Sequence, residues 1–162
     1  VSDGVHLGEF EQAGSFDVVI SDQVLEHLHP DDVVLHLRGV LEILKPNGRY
    51  VFSTPHRYTG PHDVSAVFKY EEACGMHLRE YTNREFVSML KDAGFGSVSY
   101  AFIAADGETA KRVLGRAYLN LLMAAELGLS LVPTIRARRL AAKVLKRLAL
   151  FSSGISLIAV KN

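Results

Sequence analysis

Two groups of polar side chains fall where apolar strands must end, and their types suit proton transfer and polar recognition. The first is Ser21, Asp22, Gln23, Glu26 and His27, inside FDVVISDQVLEHLHP from Phe16 to Pro30. The second is the loop TPHRYTGPHD from Thr54 to Asp63, which carries His56 and His62, with His77 following in HLREY. An imidazole titrates near pH ~6.5 and takes or gives a proton at neutral pH, so His56, His62 and His27 are the candidate catalytic groups. Two prolines stiffen the second loop, and Arg57 and Tyr58 add charge and an aromatic face. That mixture suits a polar or anionic small molecule.

The elements that must position these groups follow from periodicity. Val18, Val19 and Ile20 are consecutive and β-branched, which reads as a strand buried on both faces of a parallel sheet. In open α/β sheets, ligands bind outside the carboxyl ends of the strands, where Ser21 to His27 begin. Pro30-Asp31-Asp32 opens a helix with Val34, Leu37, Leu41 and Leu44 on one face, and Lys45-Pro46-Asn47-Gly48 closes it. Arg49 to Thr54 is the next strand, which makes a βαβ unit with a right-handed crossover. Residues 55–79 lack periodicity and read as a functional loop. Thr82-Asn83-Arg84-Glu85 has the form of a capping box, and the helix it starts runs to Gly94. Ser97 to Ile103 and Ile155 to Lys161 read as strands, with helical stretches of about 108–127 and 133–151 between them.

Three segments in order, FDVVISDQVLEHLHPDD, LEILKPNGRYVFSTPHR and GMHLREYTNREFVSMLKDAGF, resemble the second half of a class I S-adenosylmethionine-dependent methyltransferase. The resemblance covers residues 1–103 and the last strand. It implies an α/β fold: a partial Rossmann-like sheet with a helical insertion, about 107–152, before a final strand that inserts antiparallel beside its predecessor. It also implies S-adenosyl-L-methionine as cofactor and methyl transfer to an O, N or C atom of a small-molecule acceptor. Asp3 and Gly4 match a step whose carboxylate accepts the adenine amino group and whose next backbone N–H meets the ring, although Ser2 stands where glycine is usual. Ser21 and Asp22 would run beside the methionine portion, with His56, His62 and His27 on the acceptor side.

Neither the family's Gly-rich turn nor its ribose-binding acid is present, and the first strong strand corresponds to the fourth of seven. Residues 1–162 are therefore expected to be a single incomplete domain, inactive and with little cofactor affinity alone. Some relatives hold a divalent metal through an E-x-x-E-H step. Here Gln23 replaces the first acid, leaving Glu26 and His27 with His56, His62 or His77 as a mixed O/N set, and no metal ligand is assigned.

Composition sets the outer limits. The 162 residues begin with Val1, are 48% apolar, and carry 18 basic and 18 acidic side chains. One cysteine excludes an internal disulfide framework, and no apolar run approaches a membrane span, so the expected location is the cytoplasm. Without net positive charge or aromatic residues interleaved with the basic run, nucleic acid is not an expected partner. The charge is uneven, however: Arg136, Arg139, Lys143, Lys146 and Arg147 share one side of a helix whose other side carries Leu140, Val144 and Leu148. This basic stretch, 136–147, reads first as a solvated face packed on the sheet, and otherwise as a cover over an anionic substrate or a peripheral membrane contact. The alternative to an enzyme is a non-catalytic interaction module that keeps the fold and uses this helix.

Overall fold

The computed structural model describes residues 3–103, 110–111, 115–148 and 150–162. After a short helix α1 (Leu7–Phe10) come strand β1 (Phe16–Asp22), helix α2 (Pro30–Ile43), strand β2 (Leu44–Pro55) and helix α3 (Asn83–Ala93). Strand β3 (Ser97–Tyr100) follows, then a minimal pair β4 (Phe102–Ile103) and β5 (Ala110–Lys111). Helices α4 (Gly115–Ser130) and α5 (Ile135–Arg147) precede the last strand, β6 (Gly154–Val160).

The main sheet has the order β1-β2-β6-β3. β1 and β2 are parallel, whereas β6 is antiparallel to both its neighbours, so the last strand is inserted beside β3 as expected. The fold is a partial Rossmann-like α/β sheet, and the helical insertion before the last strand is α4 and α5. The start of the first insertion helix as read from sequence, near 108, lies outside the described residues.

Local chemistry explains most boundaries. Pro30 sits at the start of α2 with Asp31 and Asp32 in its first turn, where acidic groups favour the helix dipole. The Thr82 hydroxyl and Glu85 carboxylate form a complete capping box on α3, and Gly94 ends it in the left-handed region at φ 111°. Between α2 and the rest of β2, Lys45–Gly48 bulges out and the pairing jumps from Phe16↔Leu44 to Val18↔Arg49. Asn47 takes the positive φ there, at 64°.

The core lies between the sheet and helices α2 and α3, around Leu37, Tyr50, Phe52, Phe86, Leu90 and Leu157. A smaller cluster joins α4 to α5 through Leu122, Leu129, Ala142 and Phe151. Each fully buried side chain of this size contributes about 1.5–3 kcal/mol through burial.

Three packing expectations change. β1 is not buried on both faces: it is the edge strand, with Val18 46% and Ile20 71% exposed, and only Val19 reaches the core from its β-branched run. The inner face of α2 is rotated from the expected one, so Val33, His36, Leu37 and Val40 are buried. In α5, Leu140, Val144 and Leu148 face solvent, because the helix packs on α4 through Ala141, Ala142 and Leu145 rather than on the sheet.

Candidate functional site

The carboxyl ends of β1 and β2 are stitched together by side chains. Gln23 turns the chain out of β1 at φ 53°, while its N–H still donates to Ser53 O at 3.0 Å. Its side-chain amide donates to Ser53 Oγ at 2.9 Å, and that hydroxyl donates to Asp22. One turn on, Glu26 is wholly buried. Thr54 Oγ1 donates to its Oε2 at 2.9 Å, whereas its Oε1 has no hydrogen-bond partner among the described residues.

Two histidines converge on that carboxyl group. His27 Nδ1 meets Met76 O at 3.0 Å and His77 Nδ1 meets Glu80 Oε1 at 3.0 Å, so both Nδ1 atoms act as donors and both Nε2 atoms are left as acceptors. The two rings lie edge to face with centroids 5.0 Å apart. Glu26, His27 and His77 each offer a ligand atom within 4.8 Å of the others. Imidazoles oriented by a carbonyl and a carboxylate, beside an unpaired carboxylate oxygen, fit the mixed O/N set a divalent ion takes.

The segment holding His77 is itself fixed. Asp63 accepts the backbone N–H groups of Ser65, Gly75, Met76 and His77 at 2.9–3.1 Å. Its pKa falls to about 2: partial burial would raise it, but the backbone N–H of His77 and its other donors outweigh that. Glu80 Oε1 also accepts the His62 backbone N–H at 2.7 Å, which brings His62 to the same carboxylate as His77. Gly60 packs so closely on Glu80 that a methyl group there would collide with it. The His62 ring is exposed and bonds Thr59 Oγ1 at 2.9 Å.

His56 lies elsewhere. Its ring is fully enclosed; Nε2 bonds Glu126 Oε1 at 2.7 Å and Nδ1 accepts the Tyr58 N–H at 3.1 Å, so neither nitrogen is open to an acceptor. Glu126 comes from α4 and also accepts Asn83 N, Asn83 Nδ2 and Arg84 N at 2.7–3.0 Å. Burial would raise the Glu126 pKa, but the His56 hydrogen bond, with the Asn83 donors, holds it below the ordinary value. Loop, α3 N-terminus and insertion thus meet on one carboxylate.

On the expected cofactor side, Asp3 accepts Val5 N at 2.8 Å, His6 N at 2.9 Å and the His6 ring at 2.7 Å. The His6 side-chain hydrogen bond leads in lowering its pKa to about 2. Gly4, at φ 77°, passes its carbonyl to His36 Nδ1 at 2.5 Å, and His36 Nε2 meets the Tyr50 hydroxyl at 2.9 Å. Burial lowers the His36 pKa and raises that of Tyr50, whose hydroxyl also interacts with Ser21. A buried chain of hydrogen bonds therefore links the Gly4 turn to Tyr50 on β2.

Sequence reading missed His36 and Glu126. The signal for Glu126 was available: it is the only acid in the apolar run YLNLLMAAELGLS.

A partly parallel sheet with an antiparallel inserted final strand, and a polar site at the strand ends, defines the fold of S-adenosylmethionine-dependent methyltransferases. The chain belongs to the methyltransferase domain family, whose model matches residues 3–100. Among solved structures it resembles an S-adenosylmethionine-dependent methyltransferase from Archaeoglobus fulgidus, with TM-score 0.55 and 16% identity over 99% of this chain and 66% of that one. It also resembles a possible histamine N-methyltransferase from Thermotoga maritima, with TM-score 0.50 and 13% identity over 94% and 59%. A third similar structure is the cyclase SpnF, with TM-score 0.50 and 18% identity over 99% and 55%. The chain thus spans between half and two thirds of these proteins. No curated protein matches it. The cofactor of this fold is S-adenosylmethionine, and no described helix is long and apolar enough to cross a membrane.

Proposed function

We infer that this chain is the acceptor-side part of an S-adenosylmethionine-dependent methyltransferase acting on a small molecule. The observation that carries the reading is the stitched end of β1 and β2, within the family match, followed in the chain by Glu26 and His27, which meet His77. The cofactor supplies a methyl group on a sulfonium when bound. Gly4 and Asp3 would meet its adenine, with Ser21 and Asp22 along its methionine portion. His27 and His62 are exposed and take the acceptor-side roles: one orients the acceptor and one accepts the proton that a hydroxyl or ammonium loses as the methyl arrives. His56 acts as a positioning residue through Glu126.

S-adenosylhomocysteine titrated into the isotopically labelled chain tests this. Weak, saturable shifts are expected at the amides of Gly4, Ser21, Asp22 and Gln23. Millimolar ligand that leaves those four unmoved overturns the cofactor assignment.

With a divalent ion present, Glu26, His27 and His77 would be its ligands and the ion would polarise an acceptor oxygen, leaving His62 to take the proton. The buried, unpartnered Glu26 Oε1 favours this. Cobalt(II) titration should give d–d bands that Glu26→Gln or His77→Ala removes; bands of equal strength in both variants would exclude the site.

A second reading, the interaction module, draws on the exposed stripe Leu140, Val144 and Leu148 beside Arg136, Lys143 and Arg147. It suits peripheral contact with an anionic lipid surface. Co-sedimentation with phosphatidylserine vesicles that is lost in Val144→Glu would support it, and equal recovery with neutral vesicles would not.

A further inference from the structure

A cavity of about 330 Å³ opens between residues 57–80 and the first turns of α5. Its volume falls in the range of small-molecule sites. Four arginines line it, Arg57, Arg79, Arg138 and Arg139, along with Tyr58 and three glutamates.

The pairing around the cavity leaves two guanidiniums over. Arg57 meets Glu72 at 2.9 Å and Glu85 at 3.7 Å, and Arg79 meets Glu85 at 2.7 Å. The lining carboxylates are engaged as well: Glu72 by Arg57, Glu71 by Arg136 at 3.6 Å, and Glu80 by His77 and the His62 N–H. Among the described residues, none of the ion pairs involves Arg138 or Arg139.

Their hydrogen bonds are incomplete too. Arg138 Nη2 donates to Val132 O at 2.9 Å and Ser130 O at 3.5 Å, and Arg139 Nη2 donates to Glu71 O, but the Nε–H of each is buried with no partner among the described residues. A buried donor on a cationic group is costly to leave unmet. Burial lowers the Arg139 pKa, and Glu71, Glu80 and Glu72 offset only part of that. Arg138 lies over the Tyr58 ring at 5.1 Å, which fixes the plane of its fork.

We propose that this cavity is an oxyanion subsite in which Arg138 and Arg139 hold a phosphate or carboxylate group of the methyl acceptor. Planar guanidinium forks match such groups bidentately, and two adjacent ones that line the cavity with no ion-pair partner among the described residues favour them over a neutral ligand. Glu80 is shared between the cavity wall and the His77 and His62 contacts, so the bound anion lies beside the acceptor-side histidines. That the anion belongs to a methyl acceptor rests on the methyl-transfer reading; anion binding itself does not.

Inorganic phosphate and, separately, acetate are titrated into the full chain at constant ionic strength, following the arginine Nε–H signals by NMR. Saturable shifts of the Arg138 and Arg139 Nε–H signals are expected. Tighter binding of phosphate than acetate assigns a phosphorylated acceptor, and the reverse order a carboxylated one. The double variant Arg138→Gln/Arg139→Gln should bind at least about tenfold more weakly, whereas Arg116→Gln, on α4 outside the cavity, should not change binding. If the glutamine pair fails to fold, Arg138→Lys/Arg139→Lys keeps the charge and should still weaken binding several-fold. Linear, unsaturable shifts, or equal affinity in the folded double variant, overturn the subsite. Phosphate binding that persists where S-adenosylhomocysteine does not bind would retain the subsite and remove only the methyl-transfer reading.

Discussion

Two buried arrangements in this molecule use the same residue types and end in opposite states. Around Glu126, the carboxylate and the imidazole are matched: the carboxylate takes four donors, and His56 uses both ring nitrogens, with Asn83 Oδ1 the one buried atom there that has no partner among the described residues. Around Glu26, the chain stops short: one carboxylate oxygen has no partner, and His27 and His77 each use only Nδ1 in a hydrogen bond. The first arrangement holds the insertion to the sheet. The second keeps polar valence in reserve, as a site must if it is to take up something from outside. Histidine and glutamate at a strand end therefore signal chemistry only when their hydrogen bonds are left incomplete.

The comparison breaks most readily at Glu126. Glu126→Ala leaves His56 Nε2, Asn83 and the start of α3 without their acceptor, and should cost about 3–5 kcal/mol in denaturant unfolding. Glu26→Gln keeps an acceptor for Thr54 and replaces the unmatched oxygen with an amide donor beside the His27 and His77 imidazoles, so the metal-free chain should change by less than about 1 kcal/mol. Equal losses in the two variants would erase the distinction.

Acid sharpens the same contrast. The Glu126 carboxyl has a folded pKa below its ordinary value of about 4.5, so its stabilisation is complete above that pH and is lost as pH falls through the lower folded value. Thermal melts between neutral pH and pH ~3 should show a steeper decline for wild type than for Glu126→Gln. Parallel curves would mean that Glu126 is not the group responsible.

The elements were legible because each carries local chemistry: the capping box at Thr82, the proline at the start of α2, and the β-branched run of β1. What escaped was non-local. Val18 and Ile20 have the pattern of a doubly covered strand, but burial depends on neighbours, and β1 has only β2 beside it. The stripe Leu140, Val144 and Leu148 has helical spacing like any core face, and only the packing of α5 on α4 turns it outward. His56 looked equivalent to His62 in a loop of imidazoles. The residue that separates them, Glu126, is 70 positions away from His56 and enters through an insertion. Of the site, the Asp22–His27 end was readable, whereas His77's role depended on Glu80 and on Asp63 pinning the intervening loop.

The smallest effects test whether α3 depends on its own cap or on the Glu126 knot. Thr82→Ala removes the hydroxyl that accepts Glu85 N–H, which ordinarily costs about 1 kcal/mol. Asn83 N and Arg84 N remain held by Glu126, so two first-turn donors stay satisfied and the loss should fall below that figure. In a Glu126→Gln background, where the acceptor is weaker, the same Thr82→Ala change should cost more. A double-mutant cycle measured by urea unfolding reads the difference directly. Additive losses would show that the cap and the buried carboxylate support α3 independently, and that the insertion contributes nothing to how its first turn is held.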